Sequence, residues 1–274
     1  MRFSGRERNL LDETPEHCRQ LKLHHPILTP DDMRRLRSAD HPDVVPGEID
    51  ILFDADGGGG ALRAALDDCF DRVEAMIEKG ITIIILTDRN LSAGRIPIPS
   101  LLVASGLHHH LVRKRIRSRV SIVVETGEAR EIMHFALLIG YGASAVCPYL
   151  AYSSIRRLCE EGIHESPARP HHAVDAYITA VKKGLMKTMS RIGISTIRSY
   201  FGAQIFEALG LSRALTDTYF TGTVSRIGGI GLDEIARETA ERCRAAFDDT
   251  NQLLESGGMY QIRLGGEKHL MSPE

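Results

Sequence analysis

A set of polar residues follows apolar runs at the points where a parallel α/β fold delivers side chains to a cleft. Thr87, Asp88 and Arg89 follow one run, Glu125 and Thr126 follow a second, and Ser195 and Thr196 close a third. In such folds ligands gather at the carboxyl ends of the strands. Two carboxylates with hydroxyls and a guanidinium in one common cavity could move protons or hold a polar ligand. A plainer arrangement uses the same residues: Asp88 and Arg89 pair with each other or cap a helix, while Glu125 meets a nearby arginine. No nucleophile with its base is legible, since Ser100 opens a predicted helix without a GxSxG turn around it.

Other groups carry weaker chemistry. The run His108, His109, His110 invites a metal ion, but successive helical residues point about 100° apart and cannot converge on one. A mixture of buried and solvent-facing histidines is the expectation. Arg113 to Arg119, RKRIRSR, sits at a predicted helix C-terminus, where cations oppose the dipole; it reads as a solvated helix end or a contact for a neighbouring domain. Gly57 to Gly60 and the set Gly228, Gly229, Gly231 each precede a helix. Neither forms GxGxxG or a Walker loop, so both are read as tight turns. The five cysteines, Cys18, Cys69, Cys147, Cys159 and Cys243, are scattered without a CxxC pair, as reduced thiols of a cytosolic protein would be.

The elements that must position these groups follow from periodicity. Leu62, Ala65, Leu66, Cys69, Phe70, Val73, Met76 and Ile77 recur at helical spacing, with Gly80 placed for a left-handed C-terminal cap. Residues 81–86 form a β-branched run without polar alternation, the mark of a strand covered on both faces. The order then repeats: helix 100–116 and strand 120–124, helix 128–139 and strand 144–146, helix 173–190 and strand 192–195. Short helices after Phe201 and Ser212 and a longer one from Leu232 to about Leu254 finish the chain, with no new strand expected among them. Residues 49–53 supply a further short strand, and 161–172 read as a polar loop. Ahead of these, residues 1–48 read as a connector with one short helix, capped by Thr29 with Pro30 at its first position. The expected architecture is α/β, an incomplete or irregular (βα) barrel-like domain with mostly parallel strands, spanning 49–256.

Composition narrows the function classes. A chain of 274 residues with 43% hydrophobic content suits one main domain. A formal net charge of −2 and no tryptophan leave no field or stacking platform for nucleic acid. No apolar run approaches the roughly 20 residues that span a bilayer, and no secretion signal opens the sequence. No nucleic-acid or membrane partner is therefore expected, and the predicted location is cytoplasmic.

The blocks VVETGEAREIMHFALLIGYGASAVCPYLA (123–151), RIGISTIRSYFGAQIFEALG (191–210) and YFTGTVSRIGGIGLDEIARE (219–238) give the chain a more specific signature. With ETPEH (13–17), LTDR (86–89) and IPIPSLLVASGLHHHL (96–111) they run in order along nearly its whole length. Together they resemble the central domain of the large subunit of glutamate synthase. The resemblance implies a domain that is not catalytic by itself. It would space a glutaminase domain from an FMN-binding synthase domain and border the ammonia passage between them. It places FMN and an iron–sulfur cluster in the parent enzyme and expects no cofactor or metal in this chain. With Arg2 in second position the family's N-terminal cysteine nucleophile is not expected here, and 257–274 read as a junction toward an FMN-binding domain. On this reading Thr87, Asp88, Arg89, Glu125, Thr126, Ser195 and Thr196 are tunnel or interface residues. Cys147 departs from the pattern, standing where an Asn precedes Pro-Tyr-Leu. The alternative is a stand-alone α/β-barrel enzyme with Asp88, Glu125 and Ser195 in its cleft.

Overall fold

The computed structural model describes residues 2–7, 11–162 and 170–248. An antiparallel pair, β1 (Arg2–Ser4) and β2 (Leu21–Leu23), precedes helix α1 (Pro30–Arg37). Thr29 caps α1 reciprocally with Asp32: its Oγ1 accepts from Asp32 N at 3.1 Å, and the Asp32 carboxylate accepts from Thr29 N at 2.9 Å. Where one strand is predicted over 49–53, two form, β3 (Pro46–Asp50) and β4 (Leu52–Asp54). Helices and strands then alternate as α2 (Gly58–Glu78), β5 (Ile83–Thr87), β6 (Arg95–Pro97), α3 (Ser100–Arg113), β7 (Ser121–Glu125), α4 (Ile132–Gly140) and β8 (Ala145–Cys147). The remainder comprises α5 (Tyr149–Glu160), α6 (Pro170–Ile192), α7 (Ile197–Tyr200), β9 (Glu207–Leu211), α8 (Arg213–Tyr219), β10 (Val224–Ile230) and α9 (Leu232–Phe247).

The central sheet has the order β3-β5-β7-β8, and every pairing in it is parallel. All five residues of β5 and all five of β7 are buried, which is why their sequences show no polar alternation. Beyond β8 the sheet continues into residues 26–28: Leu28 N donates to Val146 O and Val146 N donates to Pro26 O, each at 2.8 Å. The sheet ends there and at β3 without closing among the described residues, so the fold is α/β and barrel-like but incomplete. The segment read as a connector thus supplies a sheet edge, and its Ile27, Leu28, Met33 and Leu36 join the buried core.

Glycines set how closely the helices approach. Gly80 (φ +90°) ends α2 with its N–H bonded to Ile77 O and the next N–H bonded to Met76 O, both at 3.1 Å. At the other end of α2, Gly59 lies against α9, where an added Cβ would fall 2.8 Å from the Asp233 backbone nitrogen. Backbone cannot swing aside as a side chain can. Gly59→Ala should therefore lower the unfolding free energy by about 1–3 kcal/mol in urea denaturation. Gly60→Ala, with open space around the new methyl, should raise it by about 0.5–1 kcal/mol.

Two predictions about the second half are corrected. Residues 192–195 form no strand: α6 runs through Ile192, which is 42% exposed, and Gly193 (φ +81°) terminates it. Strands β9 and β10, absent from the sequence reading, pair in parallel apart from the main sheet. Helix α5 is likewise additional. Most of the predicted 161–172 loop, and the 257–274 stretch, lie outside the described residues.

Candidate functional site

The ends of β5 and β7 bring together five of the predicted residues, Thr87, Asp88, Arg89, Glu125 and Thr126. Parallel register sets Thr87 beside Glu125. The Glu125 side chain is fully buried and accepts three hydrogen bonds: from Arg37 Nη2 at 2.6 Å, Arg89 Nε at 2.8 Å and Thr87 Oγ1 at 2.9 Å. Burial alone would raise its pKa, but these three donors outweigh it and hold the carboxyl below its usual range. Arg37 also donates from Nε to Glu48 at 2.5 Å, so one guanidinium ties α1, β3 and β7.

Asp88, 2% exposed, forms a second knot. It accepts from Thr126 Oγ1 at 2.7 Å and from Gly127 N at 3.0 Å. Here burial prevails and the carboxyl is pushed up. Arg89 does not pair with Asp88; it lies over the Tyr149 ring, 4.1 Å from the centroid, and reaches Glu125. The arginine reading of Glu125 is realised, whereas Asp88 neither pairs with Arg89 nor caps a helix: it ties down the loop at Thr126 and Gly127, five residues ahead of the start of α4 at Ile132. Sequence reasoning missed Arg37, Glu48 and Tyr149, and nothing local links Arg37 to Glu125, 88 residues away. Cys147 is buried beside this cluster, and burial followed by the Glu125 charge pushes its thiol up to about 12.

Ser195 and Thr196 do not join these residues. They border a groove of about 960 Å³ together with Val120, Ser121 and Ser144, which stand at the opposite, N-terminal ends of β7 and β8. Thr196 is occupied as the N-cap of α7, accepting from Ser199 N at 3.3 Å. The physical reason is the missing strand: α6 delivers its last turn to the sheet's N-terminal edge. One common cavity for all the predicted residues is therefore not formed.

The histidine run divides as its helical phase requires. His108 is buried, and its Nδ1 accepts from Arg117 Nε at 3.0 Å, which fixes the ring neutral with its proton on Nε2. Burial first, then the charge of Arg117, lowers its pKa to about 3. Arg117 turns inward from the basic stretch, donating to Val120 O at 2.6 Å and Gly142 O at 2.9 Å. His110 instead meets Glu74 at 2.6 Å. Among the described residues no group of three or more His, Cys, Asp or Glu converges to hold a metal ion, and no helix is long and apolar enough to cross a membrane.

Residues 1–212 match the family model described as the glutamate synthase central domain. The chain is 44% identical over 275 residues to the glutamate synthase (NADPH) large chain of Bacillus subtilis, covering 100% of this chain and 18% of that protein. It is 37% identical over 285 residues to ferredoxin-dependent glutamate synthase 2 of Synechocystis, again covering 18% of the relative. The chain thus spans under a fifth of the length of these relatives. Among solved structures, a flavocytochrome b2 variant with benzoylformate aligns at a TM-score of 0.42 and 14% identity, over 63% of this chain and 37% of that one.

Proposed function

The chain belongs to the glutamate synthase central domain family, and from that membership we propose that it is a non-catalytic spacer in glutamate biosynthesis. It holds a glutaminase domain and an FMN-binding synthase domain apart and borders the ammonia passage between them, in the cytoplasm. FMN and the iron–sulfur cluster belong to those neighbouring domains.

One observation carries this reading. The strand ends where a parallel sheet would hold a substrate are closed by internal bonds: the Glu125 carboxylate is engaged by Arg37, Arg89 and Thr87, and that of Asp88 by Thr126 and Gly127. A general base needs an open lone pair aimed at its substrate, and these carboxylates are spent on structure. Thr87, Asp88, Arg89, Glu125 and Thr126 act on this reading as a stiff wall of the domain, with Ser195 and Thr196 on a separate face.

The test replaces the corresponding segment of the Bacillus subtilis large chain with this chain. Glutamine-dependent glutamate synthesis should persist in the chimera, while the 274-residue chain alone should hydrolyse no glutamine and make no glutamate. Measurable glutaminase activity of the isolated chain, or a folded chimera without synthesis, would overturn the proposal.

A further inference from the structure

Among the described residues the β9–β10 ribbon is packed on one face and exposed on the other. In its parallel register Val224 lies opposite Glu207 and Ile227 opposite Leu209. Alternation along β9 puts Glu207 and Leu209 on one face, and their cross-strand partners Val224 and Ile227 share it, because the register shift between Ser225 and Ile227 absorbs the odd residue of β10. Leu209 is 68%, Val224 54% and Ile227 64% exposed. Ala208 and Gly210 alternate to the opposite face and are half-buried, and α8 contacts both strands while α9 contacts β10. Parallel sheets are ordinarily covered on both faces, and a ribbon of two strands is marginal without further packing.

We infer that the Leu209, Val224 and Ile227 face is an interdomain docking surface whose occupant is an apolar, uncharged face of another domain of the same polypeptide. This rests on the spacer reading above and assigns it a surface. The relatives indicate where the occupant comes from, because they carry this segment as 18% of a single long chain. The local charges indicate its chemistry. Glu207 is neutralised by Arg226 at 3.4 Å within the ribbon itself, so the face presents no net charge for an ionic partner to recognise. An exposed patch of three large apolar side chains fits an apolar counterface.

Hydrogen exchange at the β9 and β10 amides tests this in the isolated chain and in the Bacillus subtilis chimera. Exchange should be at least tenfold slower in the chimera, and the double variant Leu209→Arg, Ile227→Glu should abolish that difference. The same variant should leave the circular dichroism and Tm of the isolated chain unchanged, since both side chains face solvent there; the milder pair Leu209→Ser, Ile227→Thr provides a second reading. Equal exchange in both contexts overturns the inference. So does a dimer of the isolated chain that the double variant dissolves, because the occupant would then be a second copy. A chimera that makes glutamate without protecting the ribbon sinks this inference alone, and one that protects the ribbon without making glutamate sinks the spacer reading alone.

Discussion

Glu125→Ala should lower the unfolding free energy by about 3 kcal/mol while leaving the isolated chain's secondary structure intact below its transition. Removing one partner of a buried ionic cluster typically costs about 3–5 kcal/mol, because the surviving charge stays buried without compensation. The lower end applies here. The survivors are Arg37 and Arg89, whose side chains are 32% and 40% exposed and can turn partly to water, and Arg37 keeps Glu48. Glu125→Gln keeps an acceptor and the volume and should cost less, about 1–2 kcal/mol. The pH sign follows from the depressed carboxyl: its contribution is full above the ordinary glutamate value of 4.5 and is lost as pH falls through its lower folded value. The stand-alone enzyme makes the opposite forecast. There, Asp88 and Glu125 variants would lose an activity with no loss of Tm, and that pattern in urea and thermal unfolding would displace the structural role assigned here.

The same cluster shows where the sequence was informative and where it was silent. The runs 81–86 and 120–124, which form β5 and β7, announce themselves as buried parallel strands because both faces are covered and the apolar run needs no alternation. Their neighbours across the sheet follow from the βα rhythm, so Thr87 and Glu125 could be placed together. Arg37 could not, since its link to Glu125 exists only once residues 26–28 join the far edge of the sheet and α1 returns across to β3. For Ser195 the sequence carries a legible signal against a strand. Gly193 and Ile194 repeat the ending of Gly80 and Ile81: Gly193 N bonds to Ser190 O at 3.1 Å and Ile194 N to Met189 O at 2.9 Å, the same left-handed cap. Apolar residues after such a glycine pack against the helix they close and need not start a strand. Strands β9 and β10 escaped detection for another reason. Their glycines, Gly210, Gly228 and Gly229, dilute the apolar pattern, and two register shifts break its period of two.

His108 should make the protein acid-sensitive well above the range where carboxylates titrate. In the unfolded chain an imidazole takes up a proton near its ordinary value of 6.5, whereas the folded ring stays neutral until about pH 3. The unfolded state therefore binds more protons throughout that window, and stability must fall as pH drops from 6.5 toward 3. One such group contributes up to about 1.4 kcal/mol per pH unit, or about 3 kcal/mol between pH 6.5 and 4. The ring cannot escape by protonating in place, because Nδ1 faces the Arg117 guanidinium and Gly142 crowds it from behind: a Cβ there would sit 2.6 Å from the ring's Cγ. His108→Gln offers Arg117 a neutral acceptor and should flatten the urea-unfolding midpoint across pH 6.5–4. Burial also lowers His25, His109 and His134, so some slope will survive in the variant. A slope unchanged by His108→Gln would mean that the ring takes up its proton without loss of the fold, and the neutral imidazole assigned between Arg117 and Phe201 would have to be abandoned.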